Sequence, residues 1–271
     1  MKQRIAVLVI DGQGDFCDDF PGATLPVTGA GEDMKRLGGW ITRYASMIAS
    51  LHATLDCHDL FHIANTTFYI DGATGAQVAP FTAITSADFR AGKYRLVPQL
   101  AFLYTRVLAY MEALESTGRY VLITWPPHCQ VGEPGHNLHP ALITAFRAWK
   151  EQWARPVNFV AKGNNFMTEH YSAVRAEVPD PSDPSTSINM GLIRVLQDHD
   201  QVILAGEALS HCVLQTGDDI ISQFGAGNAD KIAILTDCSS PVTGFEPQAK
   251  DFLARASAQG VRLITTTTPL H

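Results

Sequence analysis

Two hydrophobic patterns alternate along the chain. Short, continuously apolar runs such as Arg4–Ile10 are typical of strands that are covered on both faces of a sheet. Between these runs, apolar residues recur every three or four positions, which is the spacing of an amphipathic helix. Further runs with strand character are Leu51–Leu55, Tyr120–Thr124, Val157–Ala161, Gln201–Ala205, Lys231–Thr236 and Val261–Thr265. The alternation predicts an α/β fold of three layers, α/β/α, around a mostly parallel sheet.

One segment interrupts this alternation. Residues 65–96 have no clear hydrophobic period and contain many turn-forming residues. An apolar helical stripe from Leu100 to Leu114 follows, so we interpret residues 65–117 as an insertion. Long loops inside compact domains usually serve a function, and we expect this one to cover a pocket or to form a contact in a homo-oligomer. No Pro-, Gly- or Ser-rich linker divides the chain, which predicts one domain over residues 1–271.

The composition narrows the class of protein. Among 271 residues, 20 are Lys or Arg and 27 are Asp or Glu, so the formal net charge is −7, and no basic block occurs. These properties argue against binding to nucleic acid or to an anionic membrane surface. Hydrophobic residues make up 46% of the chain, and no apolar run approaches the length of a membrane helix. The composition is therefore that of an ordinary globular protein.

Cysteine usage and the first residues favour a cytoplasmic protein. The five cysteines are widely spaced and form no Cys-x-x-Cys pair, which argues against a disulfide framework and for a reducing compartment. The first apolar run ends at Asp11, too early for the hydrophobic region of a secretory signal. We interpret that run as a buried first strand.

Reactive side chains follow several of the predicted strands. Sites in open parallel sheets gather at the carboxyl ends of the strands, and Asp11, Lys162 and Cys212 all fall there. Cys212 also lies at the predicted start of a helix, where the helix dipole favours a thiolate. A lone cysteine is more often a packed small side chain. However, a nucleophilic thiol needs a proton acceptor, and a carboxylate beside a lysine can serve, so the three residues together indicate nucleophilic catalysis.

A second group at the same edge has the composition of a metal site. Asp56, His58 and His62 lie within seven residues, and His128 follows the next predicted strand. Oxygen and nitrogen ligands of this kind suit Zn²⁺, Fe²⁺ or Mn²⁺. The same spacing is also typical of loop histidines that cap backbone groups. The spacing alone therefore does not distinguish metal ligands from capping residues.

Four segments resemble the isochorismatase-like cysteine hydrolases, and among these the nicotinamidases most closely. The family's opening strand and turn are matched by Val9–Cys17 (VIDGQGDFC), and the nicotinamidase metal motif by Asp56–His62 (DCHDLFH). The most specific match is Trp125–Pro140 (WPPHCQVGEPGHNLHP), and the nucleophile loop is matched by Ala205–Val213 (AGEALSHCV). The family's lysine corresponds to the one in Val160–Gly163 (VAKG). The matches span nearly the whole chain in the family's order.

The resemblance implies a role for each matched residue. It implies a catalytic triad of Asp11, Lys162 and Cys212. It implies an oxyanion hole formed by the backbone N–H groups of Ala208 and Cys212, with a cis peptide bond between Glu207 and Ala208. The implied ligands of one divalent metal ion, zinc ahead of iron or manganese, are Asp56, His58, His62 and His128. The expected substrate-binding residues are Phe16, Trp125, Ala208 and Tyr171.

The implied reaction is the hydrolysis of a small ring-bearing amide such as nicotinamide, through a thioester on Cys212 and with release of ammonia. The sequence departs from the family where Leu209-Ser210 replaces the usual Thr-Asp and where the insertion lengthens the chain. Three alternatives follow: another small amide or a carbamoyl compound as substrate, a catalytically silent binding or assembly member, and a thiol redox protein. Isochorismate hydrolysis is disfavoured because it needs no metal ligands.

Overall fold

A parallel sheet of six strands forms the centre of the computed structural model, which describes residues 4–225 and 227–270. The remaining positions of the predicted domain, 1–3, 226 and 271, lie outside the described residues. The strands are β1 (Ile5–Ile10), β2 (Ile48–Asp56), β7 (Asn158–Lys162), β8 (Gln201–Gly206), β9 (Ile232–Leu235) and β10 (Arg262–Ile264). Their order in the sheet is β10-β9-β8-β1-β2-β7, and every neighbouring pair is parallel.

Helices cover both faces of this sheet. The helices are α1 (Ala30–Arg43), α2 (Ser86–Arg90), α3 (Tyr104–Ser116), α4 (Pro140–Trp153), α5 (Met190–Gln197), α6 (Cys212–Phe224) and α7 (Glu246–Ala258). Alternate residues of β1 belong to two hydrophobic clusters. Val7 packs with α1 and α4, whereas Leu8 packs with α3, α5, α6 and α7. The predicted three-layer α/β/α class is therefore confirmed.

One predicted strand lies outside the central sheet. Within Tyr120–Thr124 only β6 (Leu122–Ile123) is extended, and it pairs antiparallel with β4 (Ala83–Ile84) of the insertion. The prediction that this run is a strand of the parallel sheet is wrong. The position beside β2 is taken by β7, whose residues Asn158–Lys162 pair with the end of β2.

The insertion has a structure of its own. Its other two strands, β3 (Tyr69–Asp71) and β5 (Tyr94–Leu96), form an antiparallel pair, and α2 and α3 lie in the same segment. The side chains of Phe68, Tyr69 and Met111 are buried in the cluster that contains Leu8 of β1. The insertion is therefore packed onto the central core. Within residues 4–225 and 227–270, every helix is too short or too polar to cross a membrane.

Candidate active site

The carboxyl ends of four adjacent parallel strands carry the reactive residues. Asp11 directly follows β1, Asp56 ends β2, Lys162 ends β7, and Cys212 begins α6 after β8. Parallel strands end at the same edge of a sheet, so residues far apart along the chain converge there. All four side chains are buried.

Lys162 lies at the centre of this group. Its Nζ is 2.8 Å from Asp11 Oδ2, 3.0 Å from Asp56 Oδ1 and 3.6 Å from Cys212 Sγ. The ammonium group therefore joins the predicted triad to the predicted metal ligands. A buried lysine with two carboxylate partners stays charged, because the ion pairs offset the loss of hydration.

Thr54 of β2 fixes the Asp11 carboxylate. The Asp11 backbone N–H donates to Thr54 Oγ1 at 2.9 Å, and the Thr54 hydroxyl donates to Asp11 Oδ1 at 2.5 Å. The second oxygen, Oδ2, is thereby left for Lys162. Asp11 has a positive φ of 44°, an uncommon conformation that turns the chain away from β1 at this point.

Electrostatics adjust the acid–base properties of the triad. Burial raises the pKa of Asp11, and Lys162 opposes this only in part. Burial also raises the pKa of the Cys212 thiol, again against the effect of Lys162. For Lys162, burial lowers the pKa, but the carboxylates of Asp11 and Asp56 outweigh it and hold the pKa well above its usual value. The resting site therefore contains a neutral thiol beside a carboxylate that is more basic than a free one.

Two backbone N–H groups near the thiol are available to an oxyanion. Among the described residues, neither the Ala208 N–H nor the Cys212 N–H has an acceptor. The Ala208 carbonyl accepts from the N–H groups of His211 at 3.0 Å and Val213 at 3.1 Å, which shapes the turn before α6. The Glu207–Ala208 peptide bond is cis, as the resemblance implies.

Three of the four predicted metal ligands converge. Asp56 Oδ2 is 3.0 Å from His58 Nε2 and 3.4 Å from His128 Nε2, and one ligand atom from each residue lies within 4.8 Å of the others. Tetrahedral ligands at about 2.0–2.1 Å from a zinc ion are roughly 3.3 Å apart, so the spacing fits a divalent metal ion.

The surroundings of these ligands support the same interpretation. His128 Nδ1 donates to the Pro126 carbonyl at 2.8 Å, which leaves the Nε2 lone pair for a metal. The Gln13 side chain holds the Asp56 backbone, because its Oε1 accepts from the Asp56 N–H at 2.7 Å and its Nε2 donates to the Asp56 carbonyl at 2.9 Å. At Gly163, with φ +78°, a Cβ atom would lie 2.8 Å from Asp56 Oδ1, so only glycine fits.

His62 does not reach the group formed by Asp56, His58 and His128. Its Nε2 donates to the Thr168 carbonyl at 3.1 Å, and its Nδ1 accepts from the Ala64 N–H at 3.3 Å. Its ring packs against the ring of His58, with centroids 4.2 Å apart. Both ring nitrogens are thus occupied by backbone groups, which is the capping role that the spacing left open.

A cavity opens beside Cys212. The space between its wall atoms, part of which is open to solvent, amounts to about 390 Å³. All four predicted substrate-binding residues line it. The complete wall consists of Phe16, Leu25, Asp56, Trp125, His128, Glu169, Tyr171, Ala208, His211, Cys212 and Val242. The wall thus combines aromatic rings, two of the three converging ligand residues and the nucleophile candidate.

The aromatic wall is held by hydrogen bonds. Trp125 Nε1 donates to the Tyr171 hydroxyl at 3.0 Å, and the Trp125 ring meets the His211 ring edge-on at 5.1 Å. Ser210 Oγ accepts from the Val242 N–H at 3.0 Å and lies 2.9 Å from His211 Nδ1. Burial lowers the pKa of His211 to about 4, so its ring is neutral. The Nε2 atom is buried without a partner among the described residues, so His211 has a free polar atom at the cavity wall.

Some residues of the site were missed from the sequence. Thr54 is an unremarkable strand residue until β2 is placed beside β1, although a polar residue inside an apolar strand is a usable signal. Gln13 lies in a segment matched to the family, yet its two bonds to Asp56 could not be foreseen. Glu169, two residues before Tyr171 in the chain, also lines the cavity.

Comparisons with known proteins address the fold. Searches of family models and of curated proteins match nothing to this chain. Among solved structures, it is similar to an Acinetobacter baumanii nicotinamidase/pyrazinamidase (TM-score 0.64, 20% identity, 98% of this chain and 97% of that one). The chain has the isochorismatase-like fold. The resemblance predicted from the sequence is confirmed at that level.

Two further solved structures with this fold also align with nearly the whole chain. The yeast nicotinamidase bound to the inhibitor nicotinaldehyde has a TM-score of 0.64 and 17% identity, over 96% of this chain and 99% of that one. A Pyrococcus horikoshii pyrazinamidase in complex with zinc has a TM-score of 0.55 and 17% identity, over 97% and 99%. The similarity in fold therefore extends over nearly the whole chain.

Proposed function

We propose that the protein is a metal-dependent cysteine amidase that releases ammonia from a small ring-bearing amide, with nicotinamide as the leading substrate. The observation that carries the proposal is that Lys162 Nζ contacts both Asp11 Oδ2 and Cys212 Sγ, beside the cavity that Cys212 lines. The similarity in fold to nicotinamidases and pyrazinamidases supports the choice of reaction.

The triad supplies the chemistry of amide hydrolysis. Asp11 accepts the thiol proton, and Lys162 stabilises the resulting anion on Cys212. The thiolate attacks the amide carbon, and the N–H groups of Ala208 and Cys212 bind the oxyanion, an effect often worth about 3–4 kcal/mol per donor. Asp11 then returns its proton to the leaving ammonia. A water molecule activated by Asp11 hydrolyses the remaining thioester and yields the acid.

The metal-type cluster is proposed to orient the substrate. Asp56, His58 and His128 would hold one divalent ion, and the ion would supply a Lewis-acid site for a ring nitrogen. With three protein ligands, positions remain open for such a nitrogen or for water. Zinc is the proposed ion, supported by the zinc complex of the P. horikoshii pyrazinamidase.

The cavity supports a flat, small substrate. Phe16 and Trp125 line the same cavity as Cys212. Aromatic walls bind planar rings by stacking and by edge-to-face contact. One structure with this fold carries the inhibitor nicotinaldehyde, and another, from L. infantum, is described in complex with nicotinate. A pyridine carboxamide is therefore the substrate to test first.

The test is ammonia release from nicotinamide and pyrazinamide by purified protein, with metal content measured on the same sample. We expect release by the wild type with about one divalent ion per chain, and a loss of at least 10³-fold in kcat for Cys212→Ala, in line with removal of a nucleophile. The matched control is Cys238→Ala, another buried free cysteine that is not part of the cavity wall, and we expect it to keep its activity. Equal release by Cys212→Ala and wild type would refute the proposal.

A further inference from the structure

Glu207 occupies an unusual position for a carboxylic acid. It directly follows β8, is fully buried, and precedes Ala208, whose N–H belongs to the proposed oxyanion hole. The Glu207 N–H donates to the carbonyl of Ile10 at 2.8 Å, next to Asp11. Any displacement of Glu207 therefore displaces the backbone that carries the Ala208 N–H.

The carboxyl group of Glu207 has too few donors to be ionised. Its Oε2 accepts from the Ser240 N–H at 3.2 Å, and its Oε1 is buried without a donor among the described residues. An ionised carboxylate in such a place would lack the hydrogen bonds that buried charges need. A protonated carboxyl avoids this cost, provided that its O–H has an acceptor.

Asp33 of α1 is the neighbouring acceptor. The Glu207 and Asp33 carboxyls both bind Ser240, the first through its N–H at 3.2 Å and the second through its hydroxyl at 2.5 Å, so the two carboxyls lie side by side. Asp33 is the ionised partner, because its Oδ1 pairs with Arg36 and its Oδ2 accepts from the Ser240 hydroxyl at 2.5 Å. Burial, followed by the charge of Asp33, holds the pKa of Glu207 well above its usual range.

Ser240 links this pair to the turn before the nucleophile. Its N–H binds Glu207, its hydroxyl binds Asp33, and its carbonyl accepts from the Leu209 N–H at 2.8 Å. The residues on both sides of Ala208 are thus fixed to the same serine. We propose that Glu207 is a positioning residue whose protonated carboxyl, shared with Asp33 and Ser240, holds the Ala208 N–H in place for the oxyanion.

The surroundings of Glu207 make this arrangement sensitive to pH. Besides Asp33, the acidic group that faces it is Asp18, which precedes α1. Two thiols that its charge affects, Cys17 and Cys238, are held neutral by burial. Arg36 of α1 is already bound to Asp33. Ionisation of Glu207 at alkaline pH would therefore place a second buried negative charge beside Asp33 and push the turn apart.

The effect of Glu207 on catalysis rests on the proposed function, and kinetic measurements test this effect. Glu207→Gln keeps a donor for Asp33 and an acceptor for Ser240 but cannot ionise, so we expect kcat within about threefold of wild type at neutral pH. In the wild type, we expect kcat to decrease at alkaline pH as Glu207 ionises. In Glu207→Gln, this decrease should occur at a higher pH. Glu207→Leu should lose about tenfold or more in kcat with KM nearly unchanged, because an oxyanion contact acts in the transition state.

A matched control is Glu177→Gln, which changes another buried carboxyl that lies outside the cavity wall. We expect this variant to keep the alkaline fall of kcat at the wild-type pH. An unshifted alkaline fall in Glu207→Gln together with wild-type kcat in Glu207→Leu would overturn the positioning role.

A second measurement works without a substrate and separates the two proposals. The Ala208 amide resonance, followed by NMR on 15N-labelled protein, should titrate at alkaline pH in the wild type and not in Glu207→Gln. If no amide is hydrolysed but this resonance titrates as expected, the proposed function fails and the link between Glu207 and the turn stands. An Ala208 resonance that titrates identically in both proteins would overturn the inference.

Discussion

At the scale of single residues, the reactive side chains could be predicted and their supports could not. Asp11 and Cys212 were identifiable because they follow apolar runs that end at one edge of a parallel sheet. Thr54 and Glu207 contact partners on other elements, and a single sequence does not show which strands or loops become neighbours. Side chains that hold a reactive group therefore need the folded structure.

The metal ligands provide a residue-scale prediction. His128→Ala removes one of the three converging ligand atoms, so we expect its affinity for zinc to fall by at least tenfold. His62→Gln should bind zinc within about threefold of wild type, because His62 contacts backbone groups rather than the cluster. Competition with a chromogenic chelator measures both affinities, and circular dichroism checks folding. Equal losses in the two variants would place His62 among the ligands.

At the scale of elements, hydrophobic periodicity found most strands and helices but not every pairing. The run Tyr120–Thr124 has the apolar character of a central strand, yet only Leu122–Ile123 is extended and pairs with Ala83–Ile84. Apolar character reports burial, and several partners can provide that burial. The position beside β2 is taken instead by Asn158–Lys162.

The insertion gives the prediction at the element scale. Met111 of α3 is buried in the same cluster as Leu8 of β1, so Met111→Ala should lower the free energy of unfolding by about 2–5 kcal/mol. Phe102, just before α3, is 80% exposed, and Phe102→Ala should change the free energy of unfolding by less than about 0.5 kcal/mol. Urea denaturation measures both. Similar small effects would show that the insertion is not part of the central core.

At the scale of the whole molecule, the fold explains how distant residues form one site. Asp11 and Cys212 are separated by most of the chain, but β1 and β8 are direct neighbours in register from Ile5 to Ile10. The carboxyl ends of β2 and β7 add Asp56 and Lys162 to the same edge. The fold is similar to that of nicotinamidases, although the sequences are at most 20% identical to those compared. The fold brings these strand ends together, and the side chains at the strand ends determine the chemistry.

The central claim is that Cys212 forms a covalent thioester during amide hydrolysis. The most direct measurement is rapid acid quench of the protein with nicotinamide, followed by intact-protein and peptide mass spectrometry. The account predicts one acyl group per chain, located on Cys212, formed together with the first equivalent of ammonia. Ammonia release at the wild-type rate with an unmodified Cys212 at every quench time, and undiminished in Cys212→Ala, would contradict it.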